Sequence, residues 1–281
     1  MKNILVPTDF SNNAYNAFFH ATELVKNSEC TFHLLNVYPE DKILWSKGIS
    51  NQLTEQLEED SIVGLRKTYH RIKLDHDNPK HTFNTISKRG DFVKVVSKII
   101  QDKNIDLVVM GNHGCSELKA IFLGSNTLNV IEGVQECPIL TVPKEIDFSI
   151  PKDIAFVTDY RRSFNAEVIK PLISLAKFNS SKICVMHISN EEELTKEQEA
   201  NKNTLEEYLK PLRHSMHWMP NFSTKAGAIK IFLDELKIDM LAMVNYNHTF
   251  IENVTHEPVI KRVAYDLDIP FLVIPNVEIN A

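Results

Sequence analysis

The sequence predicts an α/β protein built from two tandem, open, doubly wound parallel sheets of five strands each. Three observations carry this. Short, β-branched and almost uninterrupted apolar runs recur, as expected of strands covered on both faces. Amphipathic helical patterns separate them. The plan of the first half then returns in the second. At 281 residues, 43% hydrophobic and 24% charged, the chain has material for two ordinary globular domains. The expected division is 1–144 for the first domain, 145–151 for a linker and 152–281 for the second domain.

The opening segment is Asn3-Ile4-Leu5-Val6-Pro7-Thr8-Asp9-Phe10-Ser11. Ile4 to Val6 reads as a buried strand, and Pro7 ends it because proline has no N–H for the ladder. Ser11 is placed to cap a helix whose apolar positions are Ala14, Ala17, Phe18, Ala21, Leu24 and Val25. Thr31 to Val37 is a second strand, closed by Tyr38-Pro39. Leu53, Leu57, Val63, Leu65 and Ile72 then suggest one or two helices, and His81 to Ser87 alternates as a third strand. Gly90-Asp91 leads into a helix carrying Phe92, Val95, Val96, Ile99 and Ile100 on its apolar face. Ile105 to Met110 is the fourth strand, and a helix with Leu128, Val130 and Ile131 ends near Gly133, a residue suited to a helix C-terminus. Pro138 to Pro143 supplies the fifth strand. Alternation of this kind implies right-handed crossovers with helices on both faces.

After the linker, Lys152 to Tyr160 echoes Lys2 to Phe10, and Lys182 to Ser189 echoes the second strand. Ile238 to Met243 echoes Ile105 to Met110, and Ile269 to Pro275 echoes Cys137 to Pro143. The copies differ in glycine. Seven of the 8 glycines lie in the first half, and Gly227 alone lies in the second.

Those glycines define the candidate site. The fourth strand runs into Met110-Gly111-Asn112-His113-Gly114, and after nine intervening residues stand Gly124-Ser125-Asn126. The spacing is Gly-x2-Gly-x9-Gly-Ser. Glycines after a strand let backbone N–H groups approach an anion with no Cβ in the way. A helix that opens at Gly124-Ser125 presents free amides and a favourable dipole to phosphate, and Ser125 can cap that helix or bond a phosphate oxygen. Asp9 falls at the carboxyl end of the first strand, where open α/β sheets bind ligands. It reads either as a helix cap or as a carboxylate bonding a ribose hydroxyl or adenine. In the second copy Val244-Asn245-Tyr246-Asn247-His248 replaces the glycine segment, and His256-Glu257 stands near the place of Gly124-Ser125. Side chains and a carboxylate there oppose a triphosphate, so the second copy keeps Asp159 and the fold but not that site.

Together these segments resemble the universal stress protein family in its tandem two-domain form. The opening Ile4 to Ser11, the motif Gly111-x2-Gly114-x9-Gly124-Ser125 and the closing Cys137 to Pro143 carry the resemblance. It implies an adenine nucleotide alpha hydrolase-like, Rossmann-like fold that binds ATP, with Mg2+ beside the phosphates. Carried over by residue, it puts Pro7, Thr8 and Asp9 at the adenosine and Val37 in the adenine pocket. Met110 and Gly111 stand by the ribose and α-phosphate, His113 and Gly114 bound the phosphate loop, and Gly124, Ser125 and Asn126 hold the β- and γ-phosphates. Asn126 and Cys115 depart from the residues most expected in the motif. The family's last strand commonly pairs across a dimer interface, which implies that Ile139–Val142 pairs with Phe271–Ile274 as an intramolecular pseudo-dimer, with a homodimer also open.

The function so implied is a nucleotide-sensing stress-response regulator in the cytoplasm. The alternative is a slow ATPase or nucleotidyl-transfer enzyme of the adenine-binding α/β group. Neither a His-x-Gly-His signature, a Ser-Gly-Gly opening nor a GxxxxGK[ST] loop occurs, so no catalytic residue is assigned. Net charge is −6, which argues against a general nucleic-acid binder. No signal peptide and no run long enough to span a bilayer is present, so no membrane partner is expected. Cys30, Cys115, Cys137 and Cys184 form no CxxC pair; Cys30, Cys137 and Cys184 read as core, and Cys115 sits in the glycine loop. His214 and His217, like His70, His76 and His81, read as surface or partly packed rather than metal ligands. Glu191-Glu192-Glu193 reads as a helix start.

Overall fold

The first apolar run forms β1 (Asn3–Pro7), with Ile4, Leu5 and Val6 fully buried. The computed structural model describes residues 1–39, 51–112, 124–144, 146–189, 193–220, 224–246, 260 and 267–276, with side chains in the second of these stretches described from 54 onward. They divide into two compact units, Met1–Ile146 and Asp147–Ala281.

In the first unit β1 is followed by α1 (Asn12–Leu24), β2 (Cys30–Tyr38), α2 (Asn51–Asp75), β3 (His81–Arg89) and α3 (Phe92–Lys103). Then come β4 (Leu107–Gly111), α4 (Ser125–Gly133) and β5 (Ile139–Val142). The strands run parallel in the order β3-β2-β1-β4-β5. Strand order therefore reverses between β1 and β4, whose register pairs Ile4 with Leu107. The second unit contains β6 (Asp153–Thr158), α5 (Ala166–Asn179), β7 (Lys182–Ile188), α6 (Lys196–Leu209), β8 (His214–Met219), α7 (Lys225–Leu236), β9 (Met240–Asn245) and β10 (Phe271–Pro275). Its order, β8-β7-β6-β9-β10, is again parallel. Among the described residues no helix is long and apolar enough to cross a membrane.

The duplication extends to hydrogen bonds. Asp106, just before β4, accepts the N–H groups of Lys2 (2.5 Å) and Asn3 (3.1 Å) through Oδ2. Asp239, just before β9, accepts those of Lys152 (2.8 Å) and Asp153 (3.0 Å) in the same way. One carboxylate thus ties the amino end of the central strand to its neighbour in each unit.

Several expectations need correction. The segment after β2 carries one described helix of 25 residues, within the one or two expected, but Val63 on it is exposed rather than packed. Gly133 does end α4, but its φ is not positive; a Cβ there would lie 2.7 Å from Val93 Cγ1, so close approach of α3 and α4 demands the glycine. The helix expected to begin at the glutamates starts at Lys196, where Thr195 and Gln198 form a capping box. Glu191 and Glu192 lie outside the described residues. His76 and His81 are not on the surface. Both are buried, with His76 Nε2 3.0 Å from His81 Nδ1, His76 Nδ1 2.9 Å from Glu23 Oε1, and His81 Nε2 3.3 Å from the Val25 carbonyl.

His33 on β2 is also buried, and neither ring nitrogen has a partner among the described residues. Burial pushes its pKa below the ordinary histidine value, with Lys103 adding to the effect. Both folded and unfolded chains are neutral at His33 well above pH 6.5. As pH falls through and below about 6.5 the unfolded chain takes up the proton and the folded one resists, so stability falls. His33→Leu should therefore raise stability by about 1 kcal/mol at neutral pH, since an unsatisfied buried polar group is removed. It should also reduce the loss between pH 7.5 and 5.5. Urea denaturation at the two pH values checks both; an unchanged pH dependence would contradict the assignment.

Candidate functional site

At the carboxyl end of β1 the chain turns by side-chain hydrogen bonds. Thr8 is buried; its N–H donates to the Leu35 carbonyl at 2.8 Å, and its Oγ1 accepts from the Phe10 N–H at 3.0 Å. Asp9 is exposed, and its Oδ1 accepts from the Ser11 N–H at 3.0 Å. Ser11 in turn caps α1, accepting from the Ala14 N–H at 3.1 Å. Asp9 is thus not the helix cap; its carboxylate shapes the turn before the cap. Phe10 takes a left-handed φ of 66°, uncommon for a bulky residue. Its ring occupies the space a Cβ on Gly64 would need, 2.5 Å away, which accounts for a glycine inside α2.

The second unit repeats this turn. Thr158 Oγ1 accepts from the Tyr160 N–H at 3.1 Å, Asp159 Oδ1 accepts from the Arg161 N–H at 3.1 Å, and Tyr160 has φ 56°. The turn therefore belongs to the fold and by itself identifies no ligand.

What sets the first unit apart lies on the β4 side. A cleft at the carboxyl ends of β1, β2 and β4 is lined by Pro7, Thr8, Asp9 and Val37, and by Met110 and Gly111. Gly124, Ser125 and Asn126 line it as well. Nine of the eleven residues singled out from sequence are thus brought together at the point where strand order reverses. The other two, His113 and Gly114, lie outside the described residues, as does Cys115.

The two described glycines of the motif are held for different reasons. A Cβ on Gly111 would stand 2.3 Å from Asn13 Nδ2 and 3.1 Å from the Asn13 carbonyl oxygen, so packing against α1 requires this glycine. Gly124 has φ −55° and ψ 137°, open to any L residue, so its own backbone conformation does not require glycine. It occupies the cap position of α4 and offers no side chain to the helix amides. The amino end of α4 therefore faces the cleft, and among the described residues no side chain caps its first N–H groups, which stand at the positive end of the helix dipole.

Four lining residues were not assigned to the site from sequence: Ala14, Asn36, Phe92 and Thr127. Asn36 Nδ2 donates to the Thr8 carbonyl at 2.7 Å and lines the cleft. Thr127 is buried and donates from Oγ1 to the Gly111 carbonyl at 2.9 Å, joining α4 to the end of β4. Phe92, the first residue of α3, lines the cleft instead of entering the core.

The corresponding place in the second unit is different. Register places Val244 of β9 where Gly111 stands in β4. Arg162 lies over the Tyr246 ring, 4.9 Å from its centroid. Burial, with Asp159 adding to it, raises the Tyr246 pKa, while Arg162 opposes the rise. His187 replaces Asn36, its Nδ1 3.2 Å from the Thr158 carbonyl. Asn247, His248, His256 and Glu257 lie outside the described residues. Among the described residues no group of three or more His, Cys, Asp or Glu could hold a metal ion.

The family model described as "Universal stress protein family" matches residues 1–143. The chain belongs to the universal stress protein family. Universal stress protein MJ0577 of Methanocaldococcus jannaschii is 31% identical over 162 residues, covering 51% of this chain and 96% of that protein. Universal stress protein A homolog 1 of Coxiella burnetii is 26% identical over 145 residues, covering 50% of this chain and 95% of its own length. Both relatives are thus matched almost end to end by about half of this universal stress protein. A crystal structure of a universal stress protein from Archaeoglobus fulgidus is similar across both units, with TM-score 0.75 and 18% identity, covering 97% of this chain and 96% of that one. At that identity the likeness is one of fold.

Proposed function

We propose that the first unit binds one molecule of ATP, with Mg2+ on its phosphates, and that the protein acts as a nucleotide-sensing regulator rather than a fast enzyme. The observation that carries this is the start of α4, a glycine cap with no side chain on the helix amides, opening into the cleft that Asp9 and Val37 also line. A triphosphate suits that end because N–H groups and the helix dipole both favour negative charge. Gly124 then serves close approach of the ligand, a role its backbone angles leave open. Asp9 sits within the same cleft and suits a ribose hydroxyl as donor to its carboxylate. The bound metal would neutralise charge on the phosphates.

The second unit, with Val244 and the Arg162–Tyr246 pair at its crevice, is proposed to hold no triphosphate and to serve as a built-in structural partner. Three buried free thiols, Cys30, Cys137 and Cys184, suit a reducing compartment, in keeping with work in the cytoplasm. ATP would act by binding one conformation or assembly better than another, since a ligand shifts an equilibrium only by its differential affinity.

Calorimetric titration of the whole chain with ATP and Mg2+ tests the reading. About one site per chain is expected, and no heat of binding at millimolar ATP would overturn it. In the same solution phosphate release should stay far below the roughly 1 per second at which ordinary enzymes begin. Release at that rate would favour the enzyme.

A further inference from the structure

Phe92 stands out among the cleft residues because its position contradicts its pattern. It falls on the same helical stripe as Val96, Ile99 and Ile100, which are buried in the core. Phe92 itself is only half-buried and lines the cleft. Leaving a large aromatic partly outside the core forfeits burial energy unless something else covers it.

Its mounting is firm. Gly90 takes φ 152° and donates its N–H to the Tyr38 carbonyl at 3.0 Å. Asp91 caps α3, its Oδ1 accepting from the Lys94 N–H at 3.1 Å. The turn that follows β3 is thereby fixed, and Phe92 comes immediately after it. The two ends of the cleft differ in what they offer a ligand. Val37 and Pro7 lie at the ends of β2 and β1, on the side toward β3, whereas Gly124, Ser125 and Asn126 lie beyond β4. A ligand laid across it would meet Pro7 and Val37 together with the polar Thr8, Asp9 and Asn36 at one end and helix amides at the other.

We propose that Phe92 is the base-facing wall of this cleft and that contact with its ring selects a nucleoside triphosphate over a bare polyphosphate, and a purine over a pyrimidine. This rests on the reading of the cleft as an ATP site. Aromatic rings give bases stacking contact whose strength grows with the area of the base, so the larger purine gains more. The ring makes no hydrogen bond to distinguish adenine from guanine; it discriminates by area.

The test titrates wild type, Phe92→Ala, Phe92→Leu and Phe92→Tyr with ATP, CTP and inorganic tripolyphosphate, each with Mg2+. Wild type should prefer ATP to CTP. Phe92→Ala and Phe92→Leu should each weaken ATP by about tenfold or more, leave tripolyphosphate unchanged and erase the preference over CTP. Phe92→Tyr, which keeps the ring, should bind ATP as wild type does. Equal ATP affinity in wild type and in both ring-less variants overturns the inference alone. Parallel loss of ATP and tripolyphosphate also overturns it, because the residue then acts on the fold of the cleft. Should Phe92→Ala fail to fold, Phe92→Leu and Phe92→Tyr decide. Failure of wild type to bind ATP removes the ATP reading itself and this inference with it.

Discussion

Gly124→Val should abolish measurable ATP binding while the protein stays folded. The residue has φ −55°, so valine meets no forbidden backbone angle. Its cost to folding is that of a poor cap, on the order of 1 kcal/mol. Its cost to binding is larger, because branched methyl groups would stand between a phosphate and the first amides of α4. Each charge-assisted hydrogen bond is worth about 1.5–3 kcal/mol. Losing two lowers affinity by roughly a hundredfold or more. Gly111→Val is the informative contrast. It drives a side chain into Asn13, so it should lower stability as well as binding. Thermal melts beside ATP titrations separate the two. Wild-type ATP affinity in Gly124→Val would mean that phosphate does not approach α4.

Phe18→Ala should be the most damaging single truncation in the first unit. Phe18 is 1% exposed. Its ring meets Phe32 at 5.9 Å, tilted, and Phe83 at 5.7 Å, edge-on, while Phe32 and Phe83 stack at 5.4 Å. Three rings from α1, β2 and β3 thus form one cluster. Removing one leaves a cavity that neighbouring strands cannot close, at a cost of about 3–5 kcal/mol. That is a large share of the 5–15 kcal/mol that holds a typical domain. Since α1 also carries the cap beneath Asp9, ATP affinity should fall as the unit loosens. Leu74→Ala, at a side chain 85% exposed, should stay within about 0.5 kcal/mol. Urea denaturation of both variants checks this. A Phe18→Ala midpoint matching that of Leu74→Ala would show the cluster to be incidental.

The sheets were legible because buried parallel strands write themselves as apolar runs. Ile4 to Val6 and Leu107 to Val109 are fully buried, as their composition requires. Asp9 at the carboxyl end of the first strand and Gly111 after the fourth were legible as positions, but the strand order that sets β1 beside β4 came only from the pairing. Residues that act by tertiary contact were not legible. Asn36 and Thr127 bond backbone carbonyls of other elements, and no period in the sequence marks such a bond. Phe92 fits the apolar stripe of α3, so periodicity assigned it to the core; only the packing of α3 on the sheet leaves it at the cleft. Gly111 and Gly133 were recognised as glycines of consequence, but the close contacts with Asn13 and Val93 that require them come from other helices.

The most direct measurement is an electron-density map of the whole chain crystallised with ATP and Mg2+. The account predicts nucleotide in the first unit alone, with phosphate oxygens against the N–H groups of Ser125 and Asn126 and the base beside Val37 and Phe92. Density at the second unit's Arg162–Tyr246 crevice, or a first cleft without nucleotide at saturating ATP, would contradict it.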